Sequence, residues 1–146
     1  MIRPVLFTDL KEIEAIEKDS FIDPWNIKML SDAFLANGFI GFSAVENGEV
    51  IGYIFGKTVL TESEIELIAV KKERRKKGIG RALLTEFLSA VSSAFVTDVF
   101  LEVRRSNEAA QSLYEKCGFT YVAVREKYYG GKEDALIMKK HIKAGV

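Results

Sequence analysis

Two stretches of this chain carry residue types that could do chemistry. In the first, Glu64 to Leu84, an apolar segment from Ile65 to Val70 runs into a basic turn, Arg75-Lys76-Lys77-Gly78-Ile79-Gly80-Arg81, and then at once into an amphipathic helix pattern. A strand, a glycine-bearing basic turn and a helix start together make a cradle for a pyrophosphate. The glycines let the backbone come close and several amide N–H groups point outward. The helix dipole and the cationic side chains add positive potential. The second stretch, Phe100 to Phe119, sets Glu102 in a strand pattern between Leu101 and Val103, so its side chain points to the face opposite those two. Asn107 and Tyr114 follow on a helix at a spacing of about two turns, and so share one face. A strand carboxylate and a phenol from the next helix can then border one cleft, the one accepting a proton and the other donating it.

The cradle is not that of a known nucleotide motif. A P-loop needs Gly-Lys-Ser/Thr at its end, but Gly80 is followed by Arg81-Ala82; a dinucleotide fingerprint needs a small residue where Leu83 stands. What fits is Arg/Gln-x-x-Gly-x-Gly/Ala after an Ile68-Ala69-Val70 strand end. Plainer readings stand beside the chemical ones. The basic turn could be a solvated glycine hinge. Glu102 could be a sheet residue paired with Arg104 or with a basic residue on a neighbouring strand. Asn107 could be only a helix N-cap, and Tyr114 a core aromatic with a wet hydroxyl. Cys117 reads as a small hydrophobe at a helix end, and the only histidine, His141, as a surface residue. No set of His, Cys and acids has metal-ligand spacing.

The elements that must position these groups follow from the whole sequence. One domain spanning 1–146 is the natural reading of 146 residues, and that length can bury a real core. The 21 basic and 21 acidic residues cancel, whereas a dedicated nucleic-acid binder carries a basic surplus. Positive charge is instead local: Lys71 to Lys77 holds six basic residues and one acid, which suits a small polyanion better than a duplex. A single cysteine excludes an internal disulfide and fits a reducing compartment. Met1-Ile2-Arg3-Pro4-Val5 is no signal peptide and no apolar run approaches membrane-spanning length, so a cytoplasmic protein is expected.

Apolar periodicity predicts a first strand over Ile2–Phe7 and a helix capped at Thr8-Asp9 and running to Lys18. A second helix follows over Asn26–Leu35. Strands over Phe39–Glu46 and Val50–Leu60 join at Asn47-Gly48, a strong hairpin signal. A fourth strand covers Ile65–Val70, a helix Gly78–Ser92 and a fifth strand Asp98–Val103. A helix capped at Ser106 or Asn107 stops at Cys117-Gly118, and strands over Phe119–Glu126 and Ala135–His141 flank a Gly130-Gly131 turn. The order β-α-α-β-β-β-α-β-α-β-β implies an α/β fold, a mixed, mostly antiparallel sheet of about seven strands with helices on both faces.

On these residues the chain resembles the GCN5-related N-acetyltransferases (GNAT), and within them the RimI-type branch, the ribosomal-protein alanine N-acetyltransferases. The resemblance covers nearly the whole chain: Pro24-Trp25, Ile68-Ala69-Val70, Arg75-x-x-Gly78-x-Gly80-Arg81-Ala82-Leu83-Leu84, Leu101-Glu102-Val103-Arg104-x-Ser106-Asn107, Leu113-Tyr114-Glu115-Lys116-x-Gly118-Phe119, Tyr128-Tyr129 and Glu133-Asp134-Ala135-x-x-Met138.

That resemblance implies an acetyl-CoA-dependent enzyme with no metal, acting by direct transfer. Ile68, Ala69 and Val70 would bond the pantetheine arm through their backbone. Arg75, Lys76, Lys77, Gly78, Ile79, Gly80 and Arg81 would cradle the pyrophosphate, and Asn107 would touch the cofactor. Glu102 would be the proton acceptor and Tyr114 the donor, with Trp25, Tyr128 and Tyr129 near the acceptor. The implied acceptor is a protein N-terminus, with the N-terminal alanine of ribosomal small-subunit protein eighteen as the family's usual one. An α-amino group with a reference pKa of roughly 8 is an easier acceptor than a lysine near 10.4. Lysine or small-molecule amines, a non-catalytic acyl-CoA-binding module, and a nucleic-acid docking patch at Lys71 to Lys77 remain as alternatives. Two departures from the family pattern stand out: Lys71-Lys72 where an acid-proline pair is frequent, and Cys117 where leucine is commoner.

Overall fold

The computed structural model describes residues 1–143. Its strands are β1 (Ile2–Pro4), β2 (Phe39–Glu46), β3 (Glu49–Val59), β4 (Glu62–Val70), β5 (Asp98–Arg104), β6 (Thr120–Tyr129) and β7 (Glu133–His141). Its helices are α1 (Leu10–Ser20), α2 (Ile27–Leu35), α3 (Ile79–Ser93) and α4 (Glu108–Lys116), with short 3-10 turns at Phe7–Asp9 and Lys72–Arg74. The expected element order is thus the observed one. The strands form one sheet in the order β1-β2-β3-β4-β5-β7-β6. All neighbouring pairs are antiparallel except β4–β5.

Alternation along β3 explains why helices cover both faces. Tyr53 and Phe55 are fully buried in one cluster with Leu10, Ile13 and Ile16 of α1 and Leu30 of α2. Between them, Ile54 points the other way, into a second cluster with Leu83, Leu84, Phe87 and Val91 of α3 and Tyr114 of α4. Fully burying each such side chain stabilises by roughly 1.5–3 kcal/mol, so each helix is held by its apolar stripe rather than by propensity. The hairpin at Asn47-Gly48 has φ of 52° and 76°, the left-handed pair that lets a two-residue turn follow the strand twist.

Two local readings shift. β1 ends at Pro4, not Phe7, because the chain turns there into the 3-10 turn. Asp9 stands at the start of α1 but makes no side-chain cap. Its buried carboxylate instead accepts from Arg3 Nη1 at 2.7 Å, the Leu6 amide at 2.8 Å and Ser43 Oγ at 3.0 Å, riveting β1 and β2 to the helix start. Among the described residues, no helix is long and apolar enough to cross a membrane.

Candidate active site

The site begins where the sheet fails to stay closed. β4 and β5 pair in parallel only from Glu62↔Asp98 to Ile65↔Leu101. Beyond that point they part. β4 also carries a bulge there: Phe55 pairs with Leu67 and Gly56 with Ile65, which leaves Glu66 without a partner on β3. Ile68, Ala69 and Val70 keep β3 on one side but have no strand on the other. The backbone groups of this segment that point away from β3 face a cleft, and those not met by the protein's own side chains can bond an extended ligand or water.

The basic turn closes one end of that cleft. Arg75 holds it in place, its Nε donating to the Val70 carbonyl at 2.9 Å and its Nη2 to Ser20 Oγ at 3.2 Å. Lys76 and Gly78 adopt φ of 64° and 81°, and α3 starts at Gly78 without a side-chain cap. The first-turn N–H groups of α3 are thereby left for an anion. A side chain at Gly80 would meet Leu113 Cδ2 at 3.5 Å and Val70 Cγ2 at 3.9 Å, ordinary contacts. The protein's own packing does not demand glycine there. A cleft of about 640 Å³ is bordered by Ile68, Ala69, Val70, Arg75, Lys76, Gly78, Ile79, Gly80, Arg81 and Asn107, and also by Tyr114 and Lys116. Lys77 does not border it. Lys71 and Arg74 are paired with Glu49 and Glu46 of the β2–β3 hairpin, so part of the turn's cationic charge is already matched by the protein's own acids, although Arg74 also borders the cleft.

Past Tyr114 the cleft continues into a second lobe of about 520 Å³, where Glu17, Asp23, Glu102, Arg104 and Tyr129 stand. Tyr114 borders both lobes. Its ring is buried against Phe119 at 6.0 Å between centroids, and its hydroxyl has no partner among the described residues. Burial pushes its pKa up, with Tyr129 adding to the effect, so the hydroxyl keeps its proton across the physiological range. Glu102 alternates with buried Leu101 and Val103 and projects from the opposite face, as expected. Its Oε1 lies 3.1 Å from Arg125 Nη1 on β6, so the ion pair foreseen as the plainer reading exists, with Arg125 and not Arg104. Burial raises the Glu102 pKa above the usual carboxylate value, Arg125 pulls it down and Glu64 pushes it up. Asn107 is both an N-cap and a cleft residue: its Oδ1 accepts from the Ala110 amide at 3.2 Å.

Of the aromatics expected at the acceptor, Tyr129 borders the second lobe. Trp25 instead borders a separate hollow with Met29 and Phe39. Among the cleft residues that sequence reasoning missed, two tie the surrounding segments together. Glu17 is fully buried, accepting from the Trp25 amide at 2.9 Å and from the Tyr53 hydroxyl, and so ties the α1–α2 connection to β3. The available signal was its spacing from Leu10 and Ile13, which puts it on the core face of α1. Arg104, one residue beyond buried Val103, meets both Asp23 and Glu133. No sequence signal named those partners.

The cleft thus runs along a splayed β4–β5 pair, with a cationic turn at one end and a carboxylate and a phenol further along. The acetyltransferase (GNAT) family model matches residues 10–119, and the chain belongs to that family. Within it, the chain is 34% identical over 134 residues to the [ribosomal protein bS18]-alanine N-acetyltransferase of Escherichia coli K12, covering 90% of each chain. The crystal structure of the ribosomal-protein-S18-alanine N-acetyltransferase from Escherichia coli superposes with a TM-score of 0.91 at 33% identity, covering 97% of this chain and 93% of that one. Ard1 from Thermoplasma volcanium superposes with a TM-score of 0.88 at 29% identity over 97% of each chain.

Proposed function

We propose that the protein is an N-terminal protein acetyltransferase, moving acetyl from acetyl-CoA directly to an N-terminal amine, with the N-terminal alanine of ribosomal protein bS18 as its acceptor. The observation that carries this reading is the single cleft whose cationic lobe and carboxylate-bearing lobe meet at Tyr114. The names of its relatives support the acceptor assignment.

In this reading the thioester supplies the activated acetyl carbon. Ile68, Ala69 and Val70 align the pantetheine arm through their backbone, and the turn from Arg75 to Arg81 holds the pyrophosphate. Lys76 and Arg81 supply charge, while Arg75 acts by fixing the turn. The acceptor enters from the opposite lobe. Its amine must lose a proton to attack, and Glu102 takes that proton directly or through one water. As the new C–N bond forms the C–S bond breaks; the departing sulfur receives the hydroxyl proton of Tyr114, and the proton that the nitrogen sheds as it becomes an amide returns to the Tyr114 oxygen through water. Burial raises the Glu102 pKa, which makes it a stronger base, and the Arg125 charge favours its ionised form.

The test is free-thiol release from acetyl-CoA against peptides starting with Ala, Ser or Met, each with a free or blocked N-terminus, plus internal-lysine peptides. Release only with free N-termini, strongest for Ala, is expected. Release with blocked lysine peptides moves the protein to the lysine class. Silence with CoA still bound would overturn the peptide acceptor and leave a small-molecule amine, a required partner protein or a non-catalytic binding module.

A further inference from the structure

We infer that Arg104 is a positioning residue for the acceptor, a single guanidinium that ties the α1–α2 connection to the β6–β7 turn across the mouth of the second lobe. The inference rests on the reading of that lobe as the acceptor side. Arg104 ends β5, on the same face as Glu102. Its Nη2 lies 3.3 Å from Asp23 Oδ2 and its Nη1 lies 3.1 Å from Glu133 Oε1. Its Cζ sits 4.1 Å above the ring of Tyr129. The planar fork thus contacts three residues from two segments far apart in sequence, something a lysine's point charge does not reproduce.

The anchor under this fork is firm. The Arg104 carbonyl accepts from the Asn107 amide at 3.0 Å and from Gln111 Nε2 at 3.1 Å, which fixes the end of β5 to α4. Glu133, at the other end of one arm, also accepts from the Ser106 amide at 2.7 Å. The two arms are unequal. The Glu133 side chain is 24% exposed, whereas that of Asp23 is 74% exposed and belongs to a connection outside any helix or strand. Water competes for the Asp23 arm and much less for the Glu133 arm. Arg104 therefore stays with β7 and Tyr129, and the Asp23 arm is the weaker of the two. Asp23, Arg104, Ser106 and Tyr129 all border the lobe, so loosening the tie misplaces the walls that meet the acceptor. The cationic lobe lies on the far side of Tyr114 and shares none of these four residues.

The experiment combines amide hydrogen exchange with steady-state kinetics on wild type, Arg104→Met, Arg104→Lys and Asp23→Asn. In Arg104→Met, exchange should quicken in both 21–26 and 128–133, and the acceptor KM should rise about tenfold, by a larger factor than kcat falls, with acetyl-CoA affinity unchanged. Asp23→Asn should quicken only 21–26, and Arg104→Lys should fall between. Unaltered exchange in both segments of Arg104→Met overturns the tie. Acceptor KM and acetyl-CoA affinity worsening together overturn the positioning role in favour of general destabilisation. If Arg104→Met does not fold, Asp23→Asn and Glu133→Gln carry the same comparison. A wild-type protein silent on every peptide overturns the acceptor reading, while the exchange data still decide the tie.

Discussion

Glu102 is a carboxylate under three influences at once. Burial and Glu64 raise its pKa, and Arg125, the only cation paired with it among the described residues, lowers it. If it is the proton acceptor, kcat falls as pH drops through its pKa, because the protonated form cannot take another proton. Glu102→Gln should lower kcat by about 100-fold or more while leaving acetyl-CoA affinity unchanged. Arg125→Met removes the positive charge that favours the ionised form, so the acid limb of the kcat profile should move to higher pH. A limb that moves to lower pH, or stays in place, would take Glu102 out of the base role. Tyr114 is the converse case: its ring is buried, its hydroxyl is protonated and has no side-chain or backbone partner among the described residues, and so it has a proton to give.

At the scale of elements, β4 and α1 do most of the positioning. β4 is regular against β3 until its bulge, and the loss of β5 pairing beyond Ile65 opens the cleft. α1 sends Glu17 inward to Trp25 and Tyr53, and Glu14 outward to the Ile27 amide, so two carboxylates of one helix hold the connection that borders the second lobe. Burial raises the Glu17 pKa, meaning the folded state holds that proton more tightly than the unfolded chain does. Its contribution to stability is therefore largest below the unfolded carboxylate pKa and is lost as pH rises through the folded one. Glu17→Gln should abolish that pH-dependent loss while roughly preserving volume. Urea midpoints at pH 4 and pH 7 for both proteins measure this, and an unchanged difference between the two pH values would refute it.

For the molecule as a whole, net charge is zero and the charges are sorted along the cleft. The cradle end carries Lys76, Arg81 and Lys116, and the other lobe carries Glu17, Asp23 and Glu102 beside one arginine. Such a division draws the polyanionic partner to one end and a protonated amine to the other. A ligand that binds only the folded state at 100 times its Kd stabilises it by about 2.7 kcal/mol. Acetyl-CoA at that ratio should raise Tm by roughly 5–10 °C. Gly80→Asp puts a carboxylate into the cradle and should abolish the shift while leaving the unliganded Tm within a few degrees. A retained shift would move the cradle elsewhere.

Patterns of local origin were legible in the sequence. The β-α-α-β-β-β-α-β-α-β-β order followed from apolar period and turn residues. The sequence of strand end, glycine-bearing basic turn and immediate helix start followed from Ile68-Ala69-Val70 and Arg75-x-x-Gly78-x-Gly80, because turn geometry and helix starts depend on neighbours along the chain. The side of β5 on which Glu102 stands followed from strict alternation. Contacts between distant segments were decided only by tertiary structure. Arg125 lies two strands away from Glu102, because β7 inserts between β5 and β6. Asp23 reaches Arg104 only because α1 packs on one face of the sheet and leaves its C-terminal connection over the cleft. Which cations of the basic turn stay free for a ligand depends on the acids that the β2–β3 hairpin brings beside it. Charge and hydrogen-bonding capacity belong to the residue and are read directly from sequence. The partner that spends them is chosen by packing, which brings together residues no local pattern connects.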